Sequence, residues 1–330
     1  MRRPTARRVA AVFLAGIILL VVAKTVDLQG VRESLSRLDA TTLLLVSLLY
    51  LPSWWLRGER WRGLAGDLGD KIERVPACGM ATVGNMLNLV LPAKTGDLLW
   101  THAAHQRWGI PYGRGLVGVL AGRILDLLVL AGMGLLGGLF LAGLATWKLV
   151  AAGLALVICT RLGVDLFIRR QALRALLRGP TRALLGLHDL LITPMRVLVD
   201  SRRMGRHFVL TIAIWLIEGA VAWCLAQAMG LSLSPAAVLF WIMAANLSKI
   251  LPLTPASMGT YEAAGAIALG FAGVDYTLAF SVVLAEHLLK NGVNLVLGAL
   301  ALLLMDIPVL SADLSELSRT WSELREGPSL

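Results

Sequence analysis

The sequence predicts an all-α polytopic membrane protein with two inverted repeats, each containing a re-entrant broken-helix element. Three observations support this: an apolar composition, apolar stretches of membrane-spanning length, and an interrupted segment that occurs twice. Of the 330 residues, 57% are hydrophobic and only 16% are charged, whereas about a quarter of residues are charged in soluble domains. Stretches of ~20 apolar residues cross a ~30 Å hydrocarbon core as helices. The composition therefore excludes a water-soluble domain.

The interrupted segment occurs at 85–97 and again at 246–262. Each copy closes an apolar run with Pro-x-x-x-Gly followed by an acidic residue, and the copies stay in register downstream. Breaks at matching places in two halves are typical of a transporter binding site. Chance is the alternative, because Pro and Gly are frequent in membrane helices. The predicted helix-breaking residues are Pro92, Gly96, Pro252, Pro255 and Gly259.

The first part of the chain follows the positive-inside rule. A basic leader precedes the apolar run 9–26, and no small-x-small cleavage site follows it, so the run is predicted to be a first transmembrane helix with a cytoplasmic N-terminus. A second span is predicted at 41–56, ending at Trp54 and Trp55. The basic residues after it are expected in the cytoplasm: Arg57, Arg60, Arg62, Lys71 and Arg74.

The number of crossings predicts a re-entrant element. The arginine-rich segment 169–207 should be cytoplasmic, lying in the membrane interface against anionic phospholipid. Further spans are predicted at 115–145 and 149–168. If 75–92 also crossed fully, five crossings would separate the cytoplasmic N-terminus from the cytoplasmic segment 169–207, and five is odd, so 75–108 is predicted to dip in and return. Such backbone at membrane depth requires a cavity or surrounding protein. The alternative splits the stretch 115–145 into two short spans at 132–138.

The second half is predicted to mirror the first. Spans at 208–229 and 276–305 flank the second interrupted segment, 235–271, and a cytoplasmic tail follows at 306–330. The chain is thus interpreted as one integral membrane domain, 1–330, with a first repeat at 41–145 and a second at 208–305. The repeats would enter from opposite faces, an arrangement that supports alternating access.

Ionisable residues near the breaks are candidates for function, because each costs about 2.5–3.5 kcal/mol at membrane depth on insertion scales. Two local ion pairs are possible, Arg123 with Asp126 and Glu286 with Lys290, and so is a contact of Arg123 with Glu286 across the repeats. The alternative is that these charges only hold helices together. The predicted substrate-binding residues are Lys94, Asp97, Arg123, Asp126, Lys249, Glu262 and Glu286.

Gly96 and Gly259 precede helix-forming runs, whose free N–H groups could bind a lipid phosphate beside the cations. The polar residues Asn85, Asn88 and Asn246 are expected to cap freed backbone groups, with headgroup contact as the alternative. His102 and His105 share a helix face but lack a third ligand, so no metal or cofactor is predicted. The motifs of nucleotide binding and hydrolase chemistry do not occur in the sequence, which predicts neither an enzyme nor a nucleic-acid partner.

Several short motifs occur in a fixed order along the chain. In that order, from 41 to 305, the chain resembles the flippase-like membrane domain of lysylphosphatidylglycerol synthases, the multiple-peptide-resistance type, and its stand-alone relatives. The resemblance implies movement of a lipid between leaflets through two re-entrant elements that face each other. The motifs are Arg60-Trp-Arg62, Asn85-x-x-Asn88-x-x-x-Pro92 with Gly96-Asp97, Arg123-Ile-Leu-Asp126, Leu251-Pro252-x-Thr254-Pro255 with Gly259-x-x-Glu262, and Gly273-Val274.

The chain departs from this family at the first break. The family favours Arg-x-Gly-Glu-x-x-Arg, whereas this chain has Lys94, Gly96, Asp97 and Trp100 at the corresponding places. Lysyl-phosphatidylglycerol is therefore not implied as the cargo, and without the aminoacyl-transfer domain its synthesis is not implied.

The predicted function is that of a flippase-like transporter, in the bacterial inner membrane, for an anionic or lipid-linked amphipathic molecule. One alternative is an accessory or scaffold subunit beside a partner enzyme of a lipid-modifying pathway, and another is an intramembrane transferase.

Overall fold

The computed structural model describes residues 28–91, 95–143, 204–250 and 254–305. Their regular structure is entirely helical, which confirms the predicted all-α membrane class. Several predictions lie outside the described residues. These are the roles of Pro92, Lys94 and Pro252, the spans at 9–26 and 149–168, most of the basic segment 169–207, and the tail 306–330.

Nine α-helices and two 3-10 turns make up the described part of the chain. The turns are Gly66–Lys71 and Pro255–Ser257. The helices are α1 Leu28–Leu35, α2 Ala40–Leu64, α3 Arg74–Val90, α4 Gly96–Trp108, α5 Tyr112–Leu141, α6 Met204–Ala228, α7 Pro235–Ser248, α8 Thr260–Gly270 and α9 Tyr276–Leu304.

Three of the described helices are long and apolar enough to cross a membrane: α5, α6 and α9. The pair α1 and α2, bent by 77°, raises that number to four if it acts as one span. Helix α5 is continuous over 30 residues and so reaches about 45 Å. The alternative that splits 115–145 into two short spans is therefore wrong, because the glycines at 132–138 lie within unbroken helix.

Helix α2 extends well beyond the predicted end near residue 56. It continues to Leu64, with Pro52 inside it, and Arg57 and Arg60 belong to its last turns. Arg60 is only 5% exposed. The expectation that Arg57 and Arg60 lie at the cytoplasmic surface is therefore wrong, because both side chains have acidic partners on other helices inside the bundle.

Helices α3 and α4 form the first hairpin, with a break between them. Glu73 before α3 and Arg107 near the end of α4 approach to 3.5 Å, so the two limbs begin and end on the same side of the bundle. Gly96 opens α4 directly against α3. A Cβ atom there would collide with the carbonyl oxygen of Gly84 and lie 2.7 Å from the Asn88 nitrogen. The break therefore requires glycine at this position.

Helices α7 and α8 form the second hairpin. The rings of Phe240 on α7 and Phe271 after α8 lie 6.0 Å apart, which brings the outer ends of the two limbs together. The connection is irregular: Ala256, Ser257 and Gly259 all have positive φ, at 49°, 59° and 83°. Non-glycine residues rarely adopt such angles, and their occurrence is often associated with functional sites.

The helices pack in a reciprocal pattern. Helix α2 lies along α6, while α5 packs on α7 and α9 packs on α3. Helix α3 also contacts the turn Pro255–Ser257, so the two hairpins meet at their breaks. Hydrogen bonds mark the two ends of the bundle, from Arg37 to the Met229 carbonyl (3.0 Å) and from Arg107 to the Met305 carbonyl (2.7 Å).

Candidate functional site

A cavity of about 690 Å³ lies where the two breaks meet. Its walls come from α2 to α7, from α9 and from the turn after α7. Seven of the predicted site residues line it: Asn85, Asn88, Asp97, Arg123, Asp126, Asn246 and Lys249. Other polar and aromatic side chains in the lining were not predicted as site residues, among them Tyr50, Trp54, Arg57, Arg60, Trp215, Glu218 and Lys290.

Asp97 organises the first break from the first turn of α4. Its Oδ1 accepts hydrogen bonds from the Asn88 amide (2.8 Å) and from the Arg123 guanidinium (3.0 Å). Asn88 belongs to α3 and Arg123 to α5, so one carboxylate connects three helices. Among the described residues the Asn88 amide nitrogen binds a side chain, and the freed backbone that Asn88 is expected to cap lies at 92–94, outside the described residues.

Asp126 does not pair with Arg123, although the two lie one turn apart on α5. Instead it accepts two hydrogen bonds from Arg60, at 2.7 and 2.9 Å, and one from the Trp215 indole at 3.1 Å. Arg57 adds a longer ion pair at 3.7 Å. The predicted local pair of Arg123 and Asp126 is therefore wrong, because each side chain faces a different neighbouring helix.

A chain of alternating charges continues from Arg57 through α6 to α9. Arg57 lies 2.7 Å from Glu218, and Glu218 lies 2.5 Å from Lys290. Lys290 in turn forms an ion pair with Glu286, as predicted. The second carboxylate oxygen of Glu286, Oε2, accepts a hydrogen bond from the Tyr261 hydroxyl at 2.9 Å. The structure thus places Glu286 against Lys290 and Tyr261, and it shows no ion pair between Arg123 and Glu286 in the described part of the chain.

Glu262 lies behind the second break and does not contribute to the cavity lining. One of its oxygens accepts a hydrogen bond from the Gly259 N–H at 2.6 Å, and the other lies 2.6 Å from His287 Nδ1. Its side chain is 1% exposed. The carboxylate therefore occupies the N-terminus of α8, the position expected to hold a lipid phosphate beside Gly259. An external anion is disfavoured there.

Lys249 differs from the other cavity cations because its described contact is aromatic. Its ammonium lies 4.0 Å from the centre of the Tyr261 ring, a cation–π arrangement. Each of the other described cations in the lining has a carboxylate within 3.0 Å. The side-chain amide of the neighbouring Asn246 donates a hydrogen bond to the Ile242 carbonyl oxygen of its own helix at 2.9 Å. This side chain therefore contacts helix backbone.

The two histidines of α4 stabilise the corner between α4 and α5. His102 Nδ1 lies 2.8 Å from the Tyr112 hydroxyl, and His105 Nδ1 lies 2.9 Å from the Ile110 carbonyl oxygen. The described residues contain no group of three His, Cys, Asp or Glu side chains that could hold a metal ion.

The fold and the cavity define a polytopic helical membrane protein with a buried, charged interior site. Residues 8–298 match the family described as the lysylphosphatidylglycerol synthase TM region, and the chain belongs to this family. The resemblance found in the sequence motifs is thereby confirmed.

Two relatives are similar over most of this chain. One is named glycosyltransferase AglD, from Haloferax volcanii, with 27% identity over 354 residues that cover 93% of this chain and 56% of that protein. The chain thus spans little more than half the length of that relative. The other, from Methanothermobacter thermautotrophicus, is named UPF0104 membrane protein, with 24% identity over 307 residues that cover 87% of this chain and 91% of that protein. No solved structure matches the chain.

Proposed function

We propose that this protein translocates the headgroup of an anionic or lipid-linked amphipathic molecule between the leaflets of a membrane. The carrying observation is that two interrupted hairpins meet at one charged cavity of about 690 Å³ inside an otherwise apolar bundle. Irregular backbone and ionised side chains are tolerated at membrane depth where they line such a cavity. A site of this kind gives a polar headgroup an environment that the hydrocarbon core lacks.

The two halves are proposed to be inverted repeats, α2–α5 and α6–α9. Helix lengths support this, since α2 and α6 each have 25 residues and α5 and α9 have 30 and 29. The reciprocal packing of α5 on α7 and α9 on α3 supports it as well. Alternating access would then require the rocking of one repeat against the other around a fixed central site.

The orientation follows from the distribution of charge. The end of the bundle that carries Arg107 and Met305 is rich in arginines, and cytoplasmic loops carry such an excess. We therefore assign this end to the cytoplasm and the Arg37 end to the outside, in a bacterial inner membrane with a cytoplasmic N-terminus. The described arginines at or near the cytoplasmic end are Arg62, Arg74, Arg107, Arg114 and Arg206.

The site residues receive distinct roles in this proposal. Lys249 attracts the headgroup, since no described carboxylate pairs with it. Arg123 and Lys94 are proposed to contact the headgroup as well, while Asp97, Asp126 and Glu286 balance the fixed cations. Glu262 holds the second break through the Gly259 N–H.

The test is lipid translocation by purified protein in liposomes, with a fluorescent lipid whose outer-leaflet fraction is quenched chemically. The wild-type protein should move the anionic probe without other proteins. Lys249→Gln should slow this movement by about tenfold or more, because the cavity loses an attracting charge. Lys71→Gln is the matched control, since Lys71 is an exposed lysine in the Gly66–Lys71 turn. Equal rates for wild type, Lys249→Gln and protein-free liposomes would contradict the proposal.

A second candidate is a membrane subunit that supports a lipid-modifying enzyme without moving lipid itself. The observation that favours it is the relative named as a glycosyltransferase, because this chain aligns with about half of that protein. Failure of pure protein to move any lipid, together with restored lipid modification on adding a partner enzyme, would support this candidate instead.

A further inference from the structure

Among the described residues, the charges around the cavity are balanced in pairs, with one exception. Four described cations face four carboxylates in the network that lines and supports the cavity. The cations are Arg57, Arg60, Arg123 and Lys290, and the carboxylates are Asp97, Asp126, Glu218 and Glu286. Lys249 is a fifth cation and has no carboxylate partner among the described residues. The described network therefore has the capacity to neutralise a single additional negative charge.

Glu262 cannot supply that charge by direct pairing. Both of its oxygens are engaged, one by the Gly259 N–H and the other by His287. Lys249 instead rests on the ring of Tyr261, whose hydroxyl donates to Glu286. The ammonium of Lys249 is thus held at the cavity wall, and none of the carboxylates that the structure describes pairs with it.

Several buried polar atoms in the lining have no hydrogen-bond partner in the described part of the chain. Asn88 is the clearest case: its nitrogen must face Asp97, because a carboxylate only accepts, and this leaves Asn88 Oδ1 as an unpaired acceptor. Unpaired buried polar atoms are costly and call for a ligand or water. The set contains acceptors and donors: Asn88 Oδ1, Asn294 Oδ1, Trp54 Nε1, Trp61 Nε1 and Trp100 Nε1.

A hydroxyl group satisfies both kinds of atom, since it donates and accepts. An ammonium group only donates, and it would be repelled by Lys249. We propose that the cavity selects a headgroup with one phosphate negative charge and an uncharged, hydroxyl-rich remainder. This headgroup assignment rests on the proposed function and deepens it. It excludes as cargo the cationic lysyl headgroup that the name of the family suggests. The hydroxyls would pair with Asn88 and its neighbours, and the phosphate with Lys249.

Binding measured separately from transport tests the proposal. The purified full chain in detergent is titrated with one lipid at a time, and the bound lipid is measured by native mass spectrometry. Phosphatidylglycerol and an isoprenyl phosphoryl hexose carry the proposed headgroup chemistry on two different lipid tails. Phosphatidylmethanol has the same single charge without hydroxyls, and lysyl-phosphatidylglycerol has the hydroxyl with added positive charge.

Either phosphatidylglycerol or the isoprenyl phosphoryl hexose, or both, should bind about tenfold or more tightly than lysyl-phosphatidylglycerol. The same lipid should also bind more tightly than phosphatidylmethanol. The preferred tail identifies the lipid source. Lys249→Gln should remove the preference over the lysyl lipid, whereas Lys249→Arg and the surface control Lys71→Gln should retain it. Equal or tighter binding of lysyl-phosphatidylglycerol overturns the charge argument, and equal binding of phosphatidylmethanol overturns the hydroxyl argument.

Binding and translocation separate the two proposals. Selective binding without movement in liposomes would refute translocation and leave the headgroup assignment standing. Movement of lipid without the expected selectivity would refute the headgroup assignment alone.

Discussion

Arg60 and Asp126 form a bidentate ion pair inside the bundle, with N···O distances of 2.7 and 2.9 Å. Both residues are nearly buried, at 5% and 6% exposure. The Thr211 hydroxyl lies 2.8 Å from the same guanidinium, and the Trp215 indole donates to the same carboxylate. This pair therefore joins α2, α5 and α6, and it forms one wall of the cavity.

Removal of the carboxylate should destabilise the protein strongly. Asp126→Ala leaves Arg60 buried with an uncompensated charge, and breaking one side of such a pair costs about 3–5 kcal/mol. We expect a clear fall in Tm, measured by thermal unfolding in detergent. The double variant Arg60→Met with Asp126→Leu should recover much of the loss, because apolar replacements of a buried pair are tolerated. A Tm of Asp126→Ala equal to that of the wild type would contradict this interpretation.

Gly96 is predicted to be intolerant of even one methyl group. Gly96→Ala would drive a Cβ into the Gly84 carbonyl and against Asn88, so α3 and α4 would have to separate. Overpacking of this kind costs about 1–3 kcal/mol, and we expect a corresponding drop in Tm. The matched control is Gly205→Ala, where an added Cβ meets no atom within 4 Å. Similar Tm values for both variants would show that the close contact of Gly96 with helix α3 does not determine the stability of the protein.

The two breaks were predictable from the sequence because proline and glycine act locally. Gly96 and Gly259 stand where helices α4 and α8 begin or are capped, and the continuous helix Tyr276–Leu304 matches its apolar stretch closely. Glu218 could also have been predicted, since it is an acidic residue inside the apolar stretch 208–229, and such residues are rarely without function.

The ion-pair partners were not predictable by the same reasoning. Arg57 and Arg60 follow Trp54 and Trp55, a pattern typical of a membrane interface. Their burial depends on Asp126 and Glu218, which are 66 to 161 positions away in sequence. Spacing along one helix likewise suggested a pair between Arg123 and Asp126, yet tertiary neighbours determine which side chains meet.

The proposed orientation of the two hairpins predicts opposite labelling of their outer ends. Gln106 is exposed at the end of α4, and Phe271 is exposed just after α8. In a background with Cys78, Cys159 and Cys224 replaced by alanine, Phe271→Cys should react with a membrane-impermeant maleimide in intact cells. Gln106→Cys should react only after the membrane is permeabilised. Labelling of Gln106→Cys in intact cells would refute the proposed inverted arrangement.

Glu262 is predicted to stabilise the second break through hydrogen bonding at the N-terminus of α8. In Glu262→Gln, the amide oxygen can still accept from the Gly259 N–H and the amide nitrogen can donate to His287, so the loss in Tm should be small. Glu262→Ala removes both contacts and the cap, and loss of a capping side chain alone costs about 0.5–2 kcal/mol. The alanine variant should therefore unfold at a clearly lower temperature than the glutamine variant. If the two variants lost stability equally, the negative charge beside His287, rather than the hydrogen bond to Gly259, would be what holds this break.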